Sequence, residues 1–187
     1  MKVMRQREEG RQLTGRIQMD DAYLGGERHG GTAGRGSENK VSFVAAVQTT
    51  ETGRPQLVCF SKRTFTKESL REFMSTSIAL PATVVRRLDC FTVAQELGMV
   101  HHRTVTGGGR VSVEVEHHWA VNTVLGNLKT AMTGTYHAIK FAKYAHRYLA
   151  EVQYRFNRRY DLRAILPRLV RAAAATPAMN ETAIRAR

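Results

Sequence analysis

The sequence predicts a single-domain α/β fold, for three reasons. Three short apolar stretches follow one another at 17–26, 41–47 and 56–60, which favours a meander of strands. Helical patterns follow. One, at 65–74, begins with Thr66 as its cap and Ser69 as its third helical residue, and another begins at Pro167. Two further strand-like stretches, 83–89 and 98–105, lie between the helices, the first of them after Pro81. The length of 187 residues fits one domain that buries about 70% of its unfolded surface.

The composition indicates a polyanionic partner. The chain carries 29 Lys and Arg against 16 Asp and Glu, a net charge of +13. This excess suits nucleic acid, and an unusually basic enzyme is the alternative. Two cysteines exclude a disulfide framework and disfavour structural zinc. The sequence has no apolar run of membrane-spanning length and no signal-peptide pattern. We therefore expect a cytoplasmic, nucleoid-associated protein.

The first strand carries two adjacent carboxylates, Asp20 and Asp21. Because successive strand residues face opposite sides, Asp20 should share a face with Gln18, and Asp21 with Met19. One carboxylate can then face a site while its neighbour cannot. Divalent cations such as Mg²⁺ take oxygen ligands, so Asp20 is a candidate metal ligand. The alternative is a pair of solvated acids at a strand end.

A glycine-rich basic loop at 25–40 follows this strand and carries Arg28, Arg35 and Lys40. A phosphate-cradling loop needs its glycines at the start of a helix, but the next segment, 41–47, is strand-like. The pattern therefore excludes a P-loop or dinucleotide site. The remaining interpretation is a flexible connection between two strands, whose basic residues can also contact a phosphate.

The stretch 119–132 predicts a helix with a buried stripe at Val121, Val124, Leu125, Leu128 and Met132. On another face, Asn122 and Lys129 lie seven residues apart, which places them within about 20° of each other.

Gly126 lies between Asn122 and Lys129 on that face, where it costs about 1 kcal/mol relative to alanine. A phosphodiester can approach the backbone closely between an amide and an ammonium group. A solvated polar face is the alternative.

Two further patterns bear on the site. Asp89 ends a predicted strand, where ligands of α/β proteins commonly bind, and a helix N-cap is the alternative. A long helix at 138–161 places basic side chains beside Tyr154, an arrangement that can track phosphates and stack a base. A solvated cationic face competes with this interpretation. The basic residues in and after this cluster are Lys140, Lys143, Arg147, Arg155, Arg158 and Arg159.

Together these segments resemble the catalytic domain of bacterial insertion-sequence transposases of the ISXO2-like, DDE-type family, in its branch with asparagine at the third catalytic position. The matching segments are Asp20-Asp-Ala-Tyr-Leu-Gly-Gly26, Gly34-Arg-Gly-Ser37 with Lys40, Val121 to Lys129, Gly134-Thr-Tyr-His137 and Tyr154 to Arg159.

The resemblance implies an RNase H-like (retroviral integrase-like) mixed sheet with helices on both faces. It implies catalysis by Asp20, Asn122 and Lys129, with two Mg²⁺ or Mn²⁺ ions held by the acids and Asn122. It also implies DNA as the partner, both insertion-sequence ends and target, and a homo-oligomer on that DNA. We expect a basic arm at 1–15, the RNase H-like domain at 16–172 and a frayed tail at 173–187.

The sequence departs from the family pattern at the second acid. The family has two apolar residues, Ser or Thr, then Asp-Gly, whereas Val84-Val85 is followed here by Arg86-Arg-Leu-Asp89. Either Asp89 substitutes for the second acid, or the metal site is impaired, because Arg87 would repel a dication.

The zinc ribbon of the family is also missing from this sequence, which suggests a truncated or degenerate copy. Two alternatives to an active transposase therefore stay open. One is a non-catalytic DNA-binding remnant, and the other is an RNase H-like nuclease such as a resolvase or ribonuclease.

Overall fold

A computed structural model describes residues 1–25, 40–86, 92–103, 118–136 and 141–185. The strands within these ranges are β1 (Leu13–Leu24), β2 (Val41–Thr49), β3 (Pro55–Lys62), β4 (Ile78–Arg86) and β5 (Val100–Arg103). The helices are α1 (Lys2–Glu8), α2 (Lys67–Ser77), α3 (Val93–Glu96), α4 (Trp119–Thr135), α5 (Phe141–Phe156), α6 (Leu162–Ala174) and α7 (Glu181–Arg185).

The strands form one mixed sheet in the order β3-β2-β1-β4-β5. β1, β2 and β3 pair antiparallel as the predicted meander, whereas β4 runs parallel to both β1 and β5. The prediction of an α/β fold with a mixed sheet is therefore confirmed. Among the described helices, none is long and apolar enough to cross a membrane.

Helices cover both faces of the sheet, each over its own core. On one face, Ile17 and Met19 of β1 pack with apolar residues of α2 and α3. On the other face, Ala22 and Leu24 pack with the buried stripe of α4 and with α5. The predicted alternation along β1 and the five-residue stripe of α4 are both confirmed. The sheet thus separates the two cores, and β1 lies at its centre, between β2 and β4.

The capping prediction for α2 is also confirmed. Thr66 has extended backbone geometry, and its hydroxyl accepts the Ser69 N–H at 3.3 Å. This bond satisfies one of the N–H groups that a helix start leaves without an intrahelical partner.

Two proline-based boundaries were wrong. β4 begins at Ile78 instead of Thr83, because Pro81 lies where β5 has not yet begun to pair and a missing N–H is tolerated. α6 begins at Leu162, five residues before Pro167, which lies inside the helix. Asp161, just before the start of α6, forms an ion pair with Arg168 at 3.1 Å.

Two helix ends also differ from the prediction. α4 continues through Gly134 to Thr135, and the Tyr136 N–H still bonds the Met132 carbonyl at 3.0 Å. α5 ends at Phe156, earlier than predicted, and the next residue leaves the helix to bond β3. The Asn157 side chain accepts the Val58 N–H at 2.8 Å and donates to its carbonyl at 3.0 Å.

The predicted domain boundaries at 15/16 and 172/173 stay predictions. The first falls inside β1 and the second inside α6. The segment before β1 contains α1, which packs against α5 and α6.

Candidate active site

Asp20 lies in the middle of the sheet, on the face that α4 covers. It is 7% exposed and pairs with Ala45 of β2, a residue of the same core as the α4 stripe. Its carboxylate accepts the Asp21 N–H at 3.1 Å. Asp21 lies on the opposite face and is partly exposed. The two acids therefore occupy different environments, and Asp20 alone faces α4.

Gln18 fixes the start of α4 against this part of β1. The first N–H groups of a helix have no intrahelical partner. The Gln18 Oε1 atom accepts one of them, the Val121 N–H, at 3.0 Å, and Gln18 is 1% exposed. Gln18 lies about 7 Å from Asp20 on the same strand face. Because Asn122 follows Val121, this hydrogen bond brings the Asn122 amide to the same region as the Asp20 carboxylate.

Sequence reasoning assigned no role to Gln18. The available indication was an amide two residues before the candidate acid, on the same face of the strand. Its partner lies 103 residues away, and no local pattern identifies such a partner.

Asn122, Gly126 and Lys129 lie on one face of α4, as the spacing predicts. Asn122 is partly buried, whereas Gly126 and Lys129 are exposed. A Cβ atom placed on Gly126 would meet no atom of the described residues within 4 Å. Packing within the described protein therefore gives no reason for this mid-helix glycine, and the face between Asn122 and Lys129 is open. The catalytic roles of Asn122 and Lys129 stay predictions.

The candidate for the second acid follows β4 in the sequence. The described part of β4 ends at Arg86, which pairs with Met19 beside Asp20. The candidate Asp89 and its neighbour Arg87 lie outside the described residues. Within the described ranges, no three His, Cys, Asp or Glu residues form a group that could hold a metal ion. The oxygen donors of Asp20 and Asn122 suit Mg²⁺ in type, but a full ligand set needs further donors.

The DNA-contact candidates divide into three sets. Arg28, Arg35 and Lys140 lie outside the described residues. Lys40, Lys143 and Arg147 are partly exposed. Lys143 and Arg147 flank the Tyr144 ring, each 5.2 Å from its centre, and Arg147 also donates to the Ile184 carbonyl. Arg155, Arg158 and Arg159 form the third set, and each has a partner within the protein.

The third set ties α5 to the rest of the fold. Arg158 pairs with the buried carboxylate of Glu8, which also bonds Asn157 and Arg11. Arg159 donates to the carbonyls of Pro55 and Gln56. These contacts give the segment a structural role, and DNA contact by its arginines stays a prediction.

Tyr154 does not stack on a base as predicted. It is 1% exposed and lies beneath the Arg158 guanidinium, 3.8 Å from ring centre to carbon. The prediction from helical periodicity that Tyr154 lies on the basic surface of α5 is wrong. Tyr154 packs inward, close to the Glu8 network. The next residue, Arg155, is exposed and pairs with Glu151.

The Gly134-Thr-Tyr-His137 segment also has a structural role. The Tyr136 hydroxyl donates to Glu151 of α5, and the two tyrosine rings of Tyr136 and Tyr148 pack 4.6 Å apart. Burial, together with this bond and the nearby carboxylate, raises the pKa of Tyr136. The segment thus holds the end of α4 against α5. His137 lies outside the described residues.

Comparison with known proteins identifies the family. No curated protein matches the chain. The sequence model of the ISXO2-like transposase domain, however, matches residues 12–157 of the 187. The matched region runs from just before β1 to just after α5, so it contains Asp20, Asn122 and Lys129. The chain belongs to the ISXO2-like transposase domain family.

Proposed function

We propose that this protein is a DNA transposase with an RNase H-like fold, which hydrolyses phosphodiesters and transfers strands at insertion-sequence ends. The observation that carries the proposal is the buried carboxylate of Asp20, held beside the start of α4 by the Gln18–Val121 hydrogen bond. A mixed sheet of order β3-β2-β1-β4-β5 with helices on both faces fits the proposed fold.

Asp20 and Asn122 would hold Mg²⁺ or Mn²⁺, with Asp89 as the candidate for the second acid. Two such ions, when bound, activate water and stabilise the leaving oxygen of an in-line displacement. Asn122 would supply a neutral oxygen and therefore less charge than a glutamate. Lys129, exposed two turns along α4, would hold a phosphate of the strand as a point charge.

The proposed partner is DNA, both at the insertion-sequence ends and at the target. The charge of +13 favours a polyanion, and the partly exposed cations Lys40, Lys143 and Arg147 are further candidates for phosphate contacts. Synapsis of two ends would require a homo-oligomer on DNA. Such a protein would work in the cytoplasm, associated with the nucleoid.

Strand cleavage of the cognate element end in Mg²⁺ tests this function. Three proteins are compared: the chain itself, Asp20→Ala, and a version in which Ser-Asp-Gly replaces Arg86-Arg87. We expect the restored version to cleave at least as fast as the unaltered chain, and Asp20→Ala to bind DNA without cleaving it. A restored version that binds DNA but never cleaves it would contradict the proposed site.

A second candidate is a DNA-binding remnant without catalysis. Arg87, near the position where the family has its second acid, favours it, because a cation there opposes metal binding. This candidate predicts metal-independent binding with a steep salt dependence and no cleavage by the unaltered chain. Cleavage of RNA–DNA hybrids or junctions without strand transfer would instead identify an RNase H-like nuclease.

A further inference from the structure

We propose that Trp119 stacks on an unpaired base of the DNA strand whose backbone crosses Gly126 and Lys129. This inference rests on the proposed function and specifies the state of its substrate. The protein would hold an opened end, with at least one nucleotide out of the duplex, instead of a fully paired helix.

The first observation is the exposure of the ring. Trp119 is the first residue of α4 and is 52% exposed, whereas the next two residues, Ala120 and Val121, are fully buried. Among the described residues, no aromatic or cationic group packs on its ring. Exposing a large apolar ring to water is unfavourable, so a ring in this position is a candidate for contact with a partner.

The second observation is the position of the ring on α4. At 100° per residue, Asn122, Gly126 and Lys129 lie within about 80° of Trp119 around the helix axis. The exposed ring therefore belongs to the same face as the candidate amide and ammonium groups. It stands at the end of α4 that Gln18 fixes beside Asp20.

The third observation is the open backbone at Gly126. In the part of the chain that the structure describes, no atom lies within 4 Å of its Cβ position, so this glycine lets a strand lie close to the helix between Trp119 and Lys129. A strand held there by its phosphates presents its bases to the side, and an aromatic ring can stack on any base because every base has a π-face. Within a duplex, the neighbouring base pairs stack on these faces and cover them, so stacking on Trp119 selects a nucleotide that has left the duplex.

Trp119 is the single tryptophan of the chain, so the intrinsic fluorescence reports on this residue alone. The titration uses three DNAs of one sequence without divalent metal: a single strand, a blunt duplex and a duplex with a frayed, mismatched end. We expect quenching by the single strand and by the frayed duplex, and little change with the blunt duplex. A single strand that saturates the protein without changing its fluorescence would overturn the proposal.

Variants test the energetic contribution, with binding followed by the anisotropy of labelled DNA. Trp119→Ala should weaken binding of the single strand and the frayed duplex on the order of tenfold, and Trp119→Phe should restore most of it. The control is Tyr160→Ala. This substitution removes an aromatic ring that is 82% exposed but does not belong to α4. It should change neither the affinity for the single strand nor the affinity for the frayed duplex. Equal affinity of Trp119→Ala and the unaltered chain for the frayed duplex would refute stacking.

Two further measurements separate this proposal from its alternatives. If fluorescence changes with protein concentration alone, a second copy covers the ring and the proposal is wrong. Cleavage in Mg²⁺ is scored independently on the same frayed duplex. Quenching without cleavage would support the stacking and contradict the proposed catalytic function, whereas cleavage without quenching would support the function and overturn the stacking.

Discussion

The substitution Gly126→Ala distinguishes the effect of Gly126 on protein stability from its effect on DNA affinity. In a helix interior, glycine is less favourable than alanine by about 1 kcal/mol. Gly126 lies in the middle of α4, and no atom of the described residues lies within 4 Å of its Cβ position, so the added methyl group meets no steric opposition from them. We therefore expect the substitution to stabilise the protein by about 1 kcal/mol, which raises the Tm by roughly 2–4 °C for a protein of this size.

The same methyl group would stand where the proposal places a phosphodiester. We expect at least a tenfold loss of affinity for the frayed duplex, equivalent to about 1.4 kcal/mol. Thermal unfolding measures the first effect, and anisotropy of labelled DNA measures the second. The two effects have opposite signs, so a loss of affinity cannot be attributed to a damaged fold.

Gly134→Ala is the matched control. Gly134 also lies in α4 and has no described neighbour within 4 Å of its Cβ position, but it lies two turns beyond Gly126, near the end of the helix. The Gly134→Ala substitution should also stabilise the protein, and it should leave the affinity for DNA unchanged. A Gly126→Ala protein that is more stable and binds DNA as well as the unaltered chain would refute close approach at this position.

Three further predictions concern the described core. Glu8→Gln leaves the Arg158 guanidinium, whose side chain is 14% exposed, without its carboxylate, and should lower the free energy of unfolding by about 3–5 kcal/mol in urea titrations. The exposed neighbour Glu9→Gln should cost less than about 1 kcal/mol, and equal costs would contradict the buried network. Burial and neighbouring cations lower the pKa of His146, so the folded state binds fewer protons than the unfolded chain just below pH 6.5. The free energy of unfolding should therefore fall as the pH drops through this range, and His146→Gln should flatten that fall. Burial raises the pKa of the Cys59 thiol to about 11, so a variant with Cys59 as its single cysteine should react with a thiol reagent at pH 8 only on unfolding. Rapid labelling of the folded protein would show that the thiol is accessible.

The features that were predicted correctly depend on local periodicity. Alternation along β1 placed Asp20 and Asp21 on opposite faces, and the 3.6-residue period placed the α4 stripe in the core. Both patterns repeat several times within one element, so a single unusual residue does not obscure them. The boundary at Pro81 failed because a proline costs little where its missing N–H has no partner to lose. The boundary at Pro167 failed although Pro167, the sixth residue of α6, removes the hydrogen bond to the Arg163 carbonyl that another residue would make, so the helix tolerates this loss.

The features that were missed depend on contacts between distant parts of the chain. Gln18 caps α4 across 103 residues, and Arg158 pairs with Glu8 across 150. A basic helix face suggests a polyanionic partner, but a carboxylate from α1 can satisfy the same charge. Sequence alone does not distinguish these cases, and so Tyr154 was assigned to a surface that it does not reach.

Binding of Mn²⁺ to the DNA complex tests the central claim, that Asp20 is a metal ligand beside Asn122. Electron paramagnetic resonance of free Mn²⁺ is recorded as each protein–DNA complex is titrated, for the unaltered chain, Asp20→Ala, Asn122→Ala and the opposite-face control Asp21→Ala. The account predicts that Asp20→Ala loses the Mn²⁺ bound by the unaltered complex, that Asn122→Ala weakens it, and that Asp21→Ala retains it. Equal Mn²⁺ binding by Asp20→Ala and the unaltered chain would contradict the account.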